Sequence, residues 1–406
     1  MEGKMQKKKL RLLTILILTT FLTGCWDYID IDKRGFAAAI GIDRFEYKPM
    51  EGTKRGAMIP EDIPQNRLSI TYSIPNASFI VGESETPNII YNTVGETFYG
   101  SSTNLATRYD KQLNFGHLKV VVLSEEVMRE EHLFREILDA LERDPFINRR
   151  LYMLMTSDTA KEILEVEPQS NPITGKFLAN LLKNKERPAR SGSGIMADIY
   201  KDLHWRGNTL IPRIIPGVED IKVAGCGVIK NFEFQGWLGE IDTRSMEIIQ
   251  GSARPEGIKF RHPAKDHASG EKGDHDYHVI PVELAYLSSK FHLIGKDKNA
   301  IKVVIEIKTE GTVEEFYFEP KESLLDPKII KDFDKEICKK LKNELYGTVE
   351  KLQKDFKVDV LGIDNYLSKH HPKLWREVED DWDEIFPTID IVIDTSTNIR
   401  QIGVLE

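Results

Sequence analysis

Three cysteines in 406 residues are too few for a disulfide scaffold. Long apolar runs are almost missing; the one that stands out is short and lies near the N-terminus, which excludes a multi-span membrane protein. Basic residues are in the minority, 56 Lys and Arg against 65 Asp and Glu, and a formal charge of −9 argues against a nucleic-acid partner, whose backbone calls for a basic face. The nucleophile elbow G-x-S-x-G, the P-loop, H-E-x-x-H and C-x-x-C do not occur. Gly225-Cys226-Gly227 opens like a dinucleotide loop, but the third Gly and the following helix are wanting, so it reads as a tight β-turn. No repeat of about 20–50 residues is visible. What is present is a globular composition, 40% hydrophobic and 9% aromatic, too rich in core formers for a disordered chain. At about 100–200 residues per domain, two to four domains are expected.

The N-terminus reads as an address. Lys4, Lys7, Lys8, Lys9 and Arg11 precede an apolar stretch from Leu12 to Leu22, too short to span a bilayer, which takes about 20 residues. Leu22-Thr23-Gly24-Cys25 then has the form of a bacterial lipobox. Cleavage between Gly24 and Cys25 would leave an N-terminal Cys whose thiol carries a diacylglyceryl group. Removing five basic residues and Glu2 leaves 51 basic and 64 acidic residues, a net −13. Such a chain is held to a membrane by acyl chains and not by charge. Cys226 and Cys338 remain and are expected to be free thiols, since they fall in different expected domains.

Hydrophobic periodicity divides the rest. Phe36–Ile42 reads as a buried strand, Arg67–Ile74 as an alternating one, and Thr93–Tyr109 as a helix. Leu118–Leu123 is a β-branched strand, with Ser124 expected to cap a helix striped by Leu133, Phe134, Ile137, Leu138 and Leu141. A strand over Leu151–Met155 and a short helix to Leu164 complete an α/β pattern. Lys183 to Gly194 reads as a linker. Apolar runs flanking Lys230-Asn231 predict a β-hairpin, and Thr243–Ile249 a short helix. Further on come two long alternating strands, Tyr277–Leu293 and Ala300–Gly311. A helix follows, striped from Ile330 to Phe356, then a helix from Pro372 to Phe386 and a strand over Ile389–Ile393. The expected division is a signal peptide over 1–24, an N-terminal α/β domain over 25–195, a small middle domain with the hairpin over 196–255, and a C-terminal α+β domain over 256–406. The fold class is therefore α/β and α+β: a three-domain exported lipoprotein with mixed or antiparallel sheets flanked by helices.

Candidate chemistry is sparse. His262, His267, His275 and His278 lie among Asp266, Asp274 and Asp276, and imidazole with carboxylate suits zinc or nickel. The spacing matches no structural zinc pattern and falls in an expected loop, so a solvated polar segment is the reading and no metal is expected. His370-His371 reads as charge at a helix C-terminus. Trp375, Val378 and Trp382 have core spacing, and the acidic run Asp380, Asp381, Asp383 and Glu384 lacks the EF-hand pattern.

Several segments together resemble one family. Cys25-Trp26-Asp27 followed by Ile31–Asp43 (IDKRGFAAAIGID) is similar to the opening of the Ger(x)C family, the C-subunit lipoproteins of spore nutrient germinant receptors. The segment from Gly116 to Glu126 (GHLKVVVLSEE) and the LERDPFINR run of Leu141–Arg149 resemble its next motifs. So do Lys230–Arg244 (KNFEFQGWLGEIDTR), Asp359–Gly362, Pro372, Trp375, Trp382, Ile385-Phe386-Pro387, and Ile399-Arg400 with Gly403. Tyr28 and Ile29 depart from the usual residues after CWD, and the stretch from Phe45 to Asn66 is longer than typical. The resemblance implies three α/β-type domains of unusual topology, no catalytic activity and no cofactor. It also implies two integral-membrane receptor subunits as partners, and a lipid-anchored place on the outer face of the spore inner membrane. Two rivals remain open from sequence. A solute-binding lipoprotein would need a polar cleft between domains, and a metal-dependent envelope hydrolase would need preorganised His and carboxylate ligands.

Overall fold

The computed structural model describes residues 29–46, 66–184, 192–252, 256–263, 277–295, 297–298, 300–315 and 327–401, with Met5 and Thr14 besides. In chain order the first strands are β1 (Arg34–Phe36), β2 (Ala39–Arg44), β3 (Leu68–Pro75), β4 (Asn88–Gly95), β5 (Gln112–Asn114), β6 (Val120–Ser124), β7 (Tyr152–Thr156), β8 (Asn208–Pro216), β9 (Ile221–Lys230) and β10 (Glu233–Leu238). β1 and β5 pair in parallel, and the others form one sheet in the order β10-β9-β8-β7-β6-β2-β3-β4. β2, β6 and β7 are parallel, and β3 and β4 return antiparallel beside β2.

The apolar run of β6 is explained by burial on both faces, as parallel strands under helices require. Val120 and Val122 join a core with Ala39, Leu154, Ile163, Leu164 and Leu178. Val121 and Leu123 point the other way, into a core with Ile42, Tyr72, Phe134, Ile137 and Met155. The expected stripe of the Glu131–Arg143 helix is buried there in full. A separate turn of helix, Glu125–Met128, precedes it; Ser124 holds the N-cap position with extended backbone but makes no capping bond. Asp43, next to last in β2, is buried and accepts from Ala160 N (2.6 Å) and Lys161 N (3.0 Å) at the head of the Ala160–Glu165 helix. Burial raises its pKa, and these two bonds act against that.

The helix expected over Thr93–Tyr109 is shorter. Thr93 and Val94 belong to β4, opposite Ile70 and Ser69, and helix runs only from Phe98 to Leu105, with Thr97 accepting from Gly100 N at 3.0 Å. Gly95 makes the switch, since a Cβ there would meet the Ser101 backbone at 2.7 Å.

Strands β8 to β10 continue the first sheet through a single β7–β8 residue pair, Met155 with Arg213. The apolar side chains of residues 196–255 go to different cores: Ile229, Phe232 and Phe234 to the helix-covered face below, Val228, Leu238, Met246 and Ile249 to the C-terminal half. The hairpin turns at Asn231-Phe232, one residue beyond the expected pair, with φ of 50° and 67° at the two positions. An aromatic residue at positive φ is strained, and Phe232 is held by packing: the Arg135 guanidinium lies 3.6 Å above its ring and Phe134 packs at 6.3 Å. Gly225-Cys226-Gly227 is not a turn but the middle of β9. Gly225 has φ +90°, and a Cβ on it would strike the Leu238 carbonyl oxygen.

The second half is built on β11 (Glu256–Pro263), β12 (Tyr277–Gly295), β13 (Lys302–Val313) and β14 (Asp390–Gln401), paired in that order. The first three are antiparallel and β14 joins β13 in parallel. Inward residues of β13 alternate strictly, and Val303, Ile305 and Ile307 pack under the Pro327–Glu350 helix, whose Phe333, Ile337, Leu341, Leu345 and Val349 are buried. Three expectations change here. The last turn of the long helix, Lys351–Phe356, winds as a π-helix and ends at Lys357 with φ 53°. The Pro372–Phe386 helix is broken into Pro372–Val378, Trp382–Ile385 and a 3₁₀ turn Phe386–Thr388, because Trp382 turns inward to a buried carboxylate. β14 runs on to Gln401, its polar second half hidden from periodicity because Thr397 pairs with Thr309 inside the sheet at 2.8 Å.

Candidate functional site

The helix Glu240–Ile249 has an apolar face, yet Asp242, Thr243, Arg244 and Ser245 are buried as well. Buried polar groups need partners: Asp242 and Arg244 find them across the two halves of the chain, Ser245 Oγ donates to Ile241 O at 2.9 Å within the helix, and Thr243 Oγ1 has none. Asp242 accepts from Lys351 Nζ at 2.6 Å and Thr348 Oγ1 at 3.1 Å, both from the long helix region. Arg244 donates to Gly257 O at 3.1 Å and pairs with Glu344. Gln250 Nε2 donates to Val360 O at 2.7 Å, and Ser289 Oγ to Ile249 O at 2.6 Å. The hairpin adds Lys230, which donates to Lys357 O at 3.0 Å and lies 3.1 Å from Asp383.

Beside this joint sits a buried acidic centre. Asp359 is 2% exposed. Its Oδ1 accepts from Leu361 N (3.1 Å), Gly362 N (3.1 Å) and Ile363 N (3.4 Å), and its Oδ2 from Asp364 N (2.8 Å) and Trp382 Nε1 (3.1 Å). Asp359-x-x-Gly362 thereby closes the head of the Ile363–His370 helix, with Gly362 supplying φ +88°. Burial raises the Asp359 pKa and its N–H donors oppose this; five N–H groups facing both oxygens suit the ionised form. Asp364 is pushed up to about 7, first by burial and then by the Asp359 charge, against the pull of Arg206, whose Nε lies 3.3 Å from Asp364 Oδ2. Arg206 ends the Met196–Arg206 helix, so this contact also spans the two halves. A cleft of about 250 Å³ opens here, lined by Ser193, Asp202, Arg206, Asn208, Gln250 and Asp359 among others.

A third contact links β10 to the first half alone. Trp237 Nε1 donates to Glu125 Oε2 at 2.7 Å, with the Arg213 guanidinium 4.6 Å over its ring. Segments far apart in sequence therefore meet: the SEE run at Glu125 with the GWL run at Trp237, and Asp359 with Trp382.

The comparisons with known proteins follow the same segments. Residues 27–216 match the family "Spore germination protein N-terminal domain", and residues 224–403 match "Spore germination B3/GerAC like, C-terminal". The chain belongs to the Ger(x)C family of spore germination proteins. Among its relatives in Bacillus subtilis (strain 168), spore germination protein YndF is 25% identical over 423 residues, covering 100% of both chains. Spore germination protein A3 is 24% identical, covering 97% of this chain and 98% of its own, and protein B3 is 25% identical, covering 94% and 95%. The crystal structure of the GerBC protein has the same fold, with a TM-score of 0.55 at 19% identity over 82% of this chain and 93% of that one. The multi-domain mixture of helices and sheets expected from sequence is thus the Ger(x)C fold.

The residues singled out from sequence fare differently. Gly24 and Cys25 lie outside the described residues, as do His267 and His275. His262 and His278 sit on neighbouring strands, not in a loop, and are direct register partners in β11 and β12. Among the described residues no cluster of His, Cys, Asp or Glu is placed to hold a metal ion. Cys226 and Cys338 form no disulfide; the first accepts from Gly192 N and the second from Thr397 N, each at 3.2 Å. Trp382 is core, and Trp375 meets it edge to face at 5.5 Å. Sequence reading missed Arg206, Asp242, Gln250 and Asp364. Asp242 follows Gly239 by three residues at a helix start, which is a capping signal; the others carry no local signal.

Proposed function

We propose that this Ger(x)C chain is the lipid-anchored subunit of a nutrient germinant receptor in the spore inner membrane. It would be held by Cys25 on the outer face and act by assembly with two integral-membrane subunits, not by catalysis. The observation that carries this reading is the pair of family matches, which run in order along almost the whole chain. The joint agrees with it: Asp242, Arg244 and Asp359 are engaged by partners within the chain, which suits a frame that holds two halves in one geometry. Among the described residues no helix is long and apolar enough to cross a membrane, and a lipid on Cys25 would supply the attachment. The expected division into 25–195, 196–255 and 256–406 belongs to this reading, with the middle segment acting as the connector. The test is deletion of the gene in a strain without paralogues. Nutrient-triggered germination should be blocked or slowed with dormancy and heat resistance intact, and normal germination with every nutrient would refute the role.

A further inference from the structure

The topology of the first sheet gathers several exposed apolar residues at one end. β2, β6 and β7 all start at that end, and the β3–β4 connection lies there too, because Pro75 pairs with Asn88 and Ser73 with Ala39. The chain enters the fold at the same end, through Asp30 and Ile31, before β1 docks on β5 and Lys119 N bonds to Ala38 O at 2.9 Å. Ile31 is 73% exposed, Ile80 65% and Val81 69% at the β3–β4 connection, and Phe146 58% in the segment leading into β7. From β3 to β7 is three strand steps, about 14 Å, so these side chains share one face of modest width.

We propose that this end of the sheet is the face that lies against the lipid bilayer, with Ile80, Val81, Phe146 and Ile31 reaching the headgroup level. The proposal rests on the lipid-anchor reading. Cys25 is four residue steps from Ile29, a reach of at most about 14 Å when fully extended, so an acylated Cys25 keeps the point where the chain enters the fold close to the membrane surface. Exposed Lys111, Lys119 and Arg150 stand on the same end and can meet lipid phosphates. Asp32, Glu83 and Glu85 share it, so charge alone does not draw the face to anionic lipid; the tether and the apolar tips do. Tyr99 and Val218, also exposed, stand at the opposite end, after β4 and at the β8–β9 turn, and serve as controls.

The test uses the full lipidated chain reconstituted in phosphatidylglycerol/phosphatidylethanolamine vesicles. A fluorophore is attached in turn to I80C, F146C, Y99C and V218C in a C226A/C338A background, and quenching by headgroup-level nitroxide lipid is measured beside vesicle flotation. Severalfold stronger quenching at positions 80 and 146 than at 99 and 218 is the expected result. Flotation with equal quenching at all four positions, or none at 80 and 146, would overturn the proposal while leaving the anchor intact. Loss of flotation with C25A retained in solution tests the anchor separately. Quenching at 80 and 146 that appears only in native spore membranes would assign the face to a protein partner and so overturn it too.

Discussion

Replacing Asp359 with Asn separates hydrogen bonding from charge at the buried centre. The side chains have the same shape, so packing around Trp382 and the 363–370 helix is kept. The natural carboxylate accepts five N–H bonds, three on one oxygen and two on the other. An amide must aim its NH2 group at one of those sets, and either orientation sets donors against donors. A buried donor left unmet costs about 1–3 kcal/mol. Partial relaxation of two or three such donors, set against relief from burying a charge, leaves a net loss of about 3 kcal/mol. The assay is urea unfolding of the chain from residue 26 onward, followed by tryptophan fluorescence, because Trp382 donates to the mutated group and Trp375 packs on Trp382. The midpoint should fall with little change in slope. A D359N protein within about 0.5 kcal/mol of the natural one, or more stable, would refute the reasoning, since it would mean that burying the charge costs as much as its five bonds contribute.

Asp364 has a folded pKa raised to about 7 from an ordinary 3.8, so the folded state binds the extra proton and stability falls as pH rises from about 4 to about 7. D364N should therefore gain on the natural protein across that window, by at most about 4 kcal/mol; parallel pH profiles of the two urea midpoints would contradict this. G225A should destabilise by about 2–4 kcal/mol, because its φ of +90° and the nearby Leu238 oxygen leave no room for a Cβ; an unchanged thermal melt would contradict it. C25A should abolish palmitate labelling and release the chain from the membrane fraction, and retention in that fraction would count against the lipobox reading.

How much was legible in the sequence depends on the kind of interaction. Strand β6 and the Glu131–Arg143 helix were readable because their burial follows one period. The ends of β4 and β14 were not, since Thr93 pairs with Ser101 of the following helix and Thr397 with Thr309 of the neighbouring strand, and buried polar pairs break the apolar pattern. The Pro372–Phe386 segment kept helical spacing but lost its single helix to a tertiary bond, Trp382 to Asp359, which no local window contains. For the same reason the joint residues escaped notice. Arg206 meets Asp364, and Asp242 meets Lys351, across more than a hundred positions. The family resemblance reached Trp237, Arg244 and Asp359 as motif letters but said nothing of what they touch.

We propose that this chain works by assembly with membrane subunits. Crosslinking in intact spores, followed by purification of the tagged chain from the inner membrane, tests it most directly. Two multi-span membrane proteins should be recovered with the chain, and both should be lost together with germination in a strain carrying C25A. Recovery of the chain alone, from spores that germinate normally, would contradict the account.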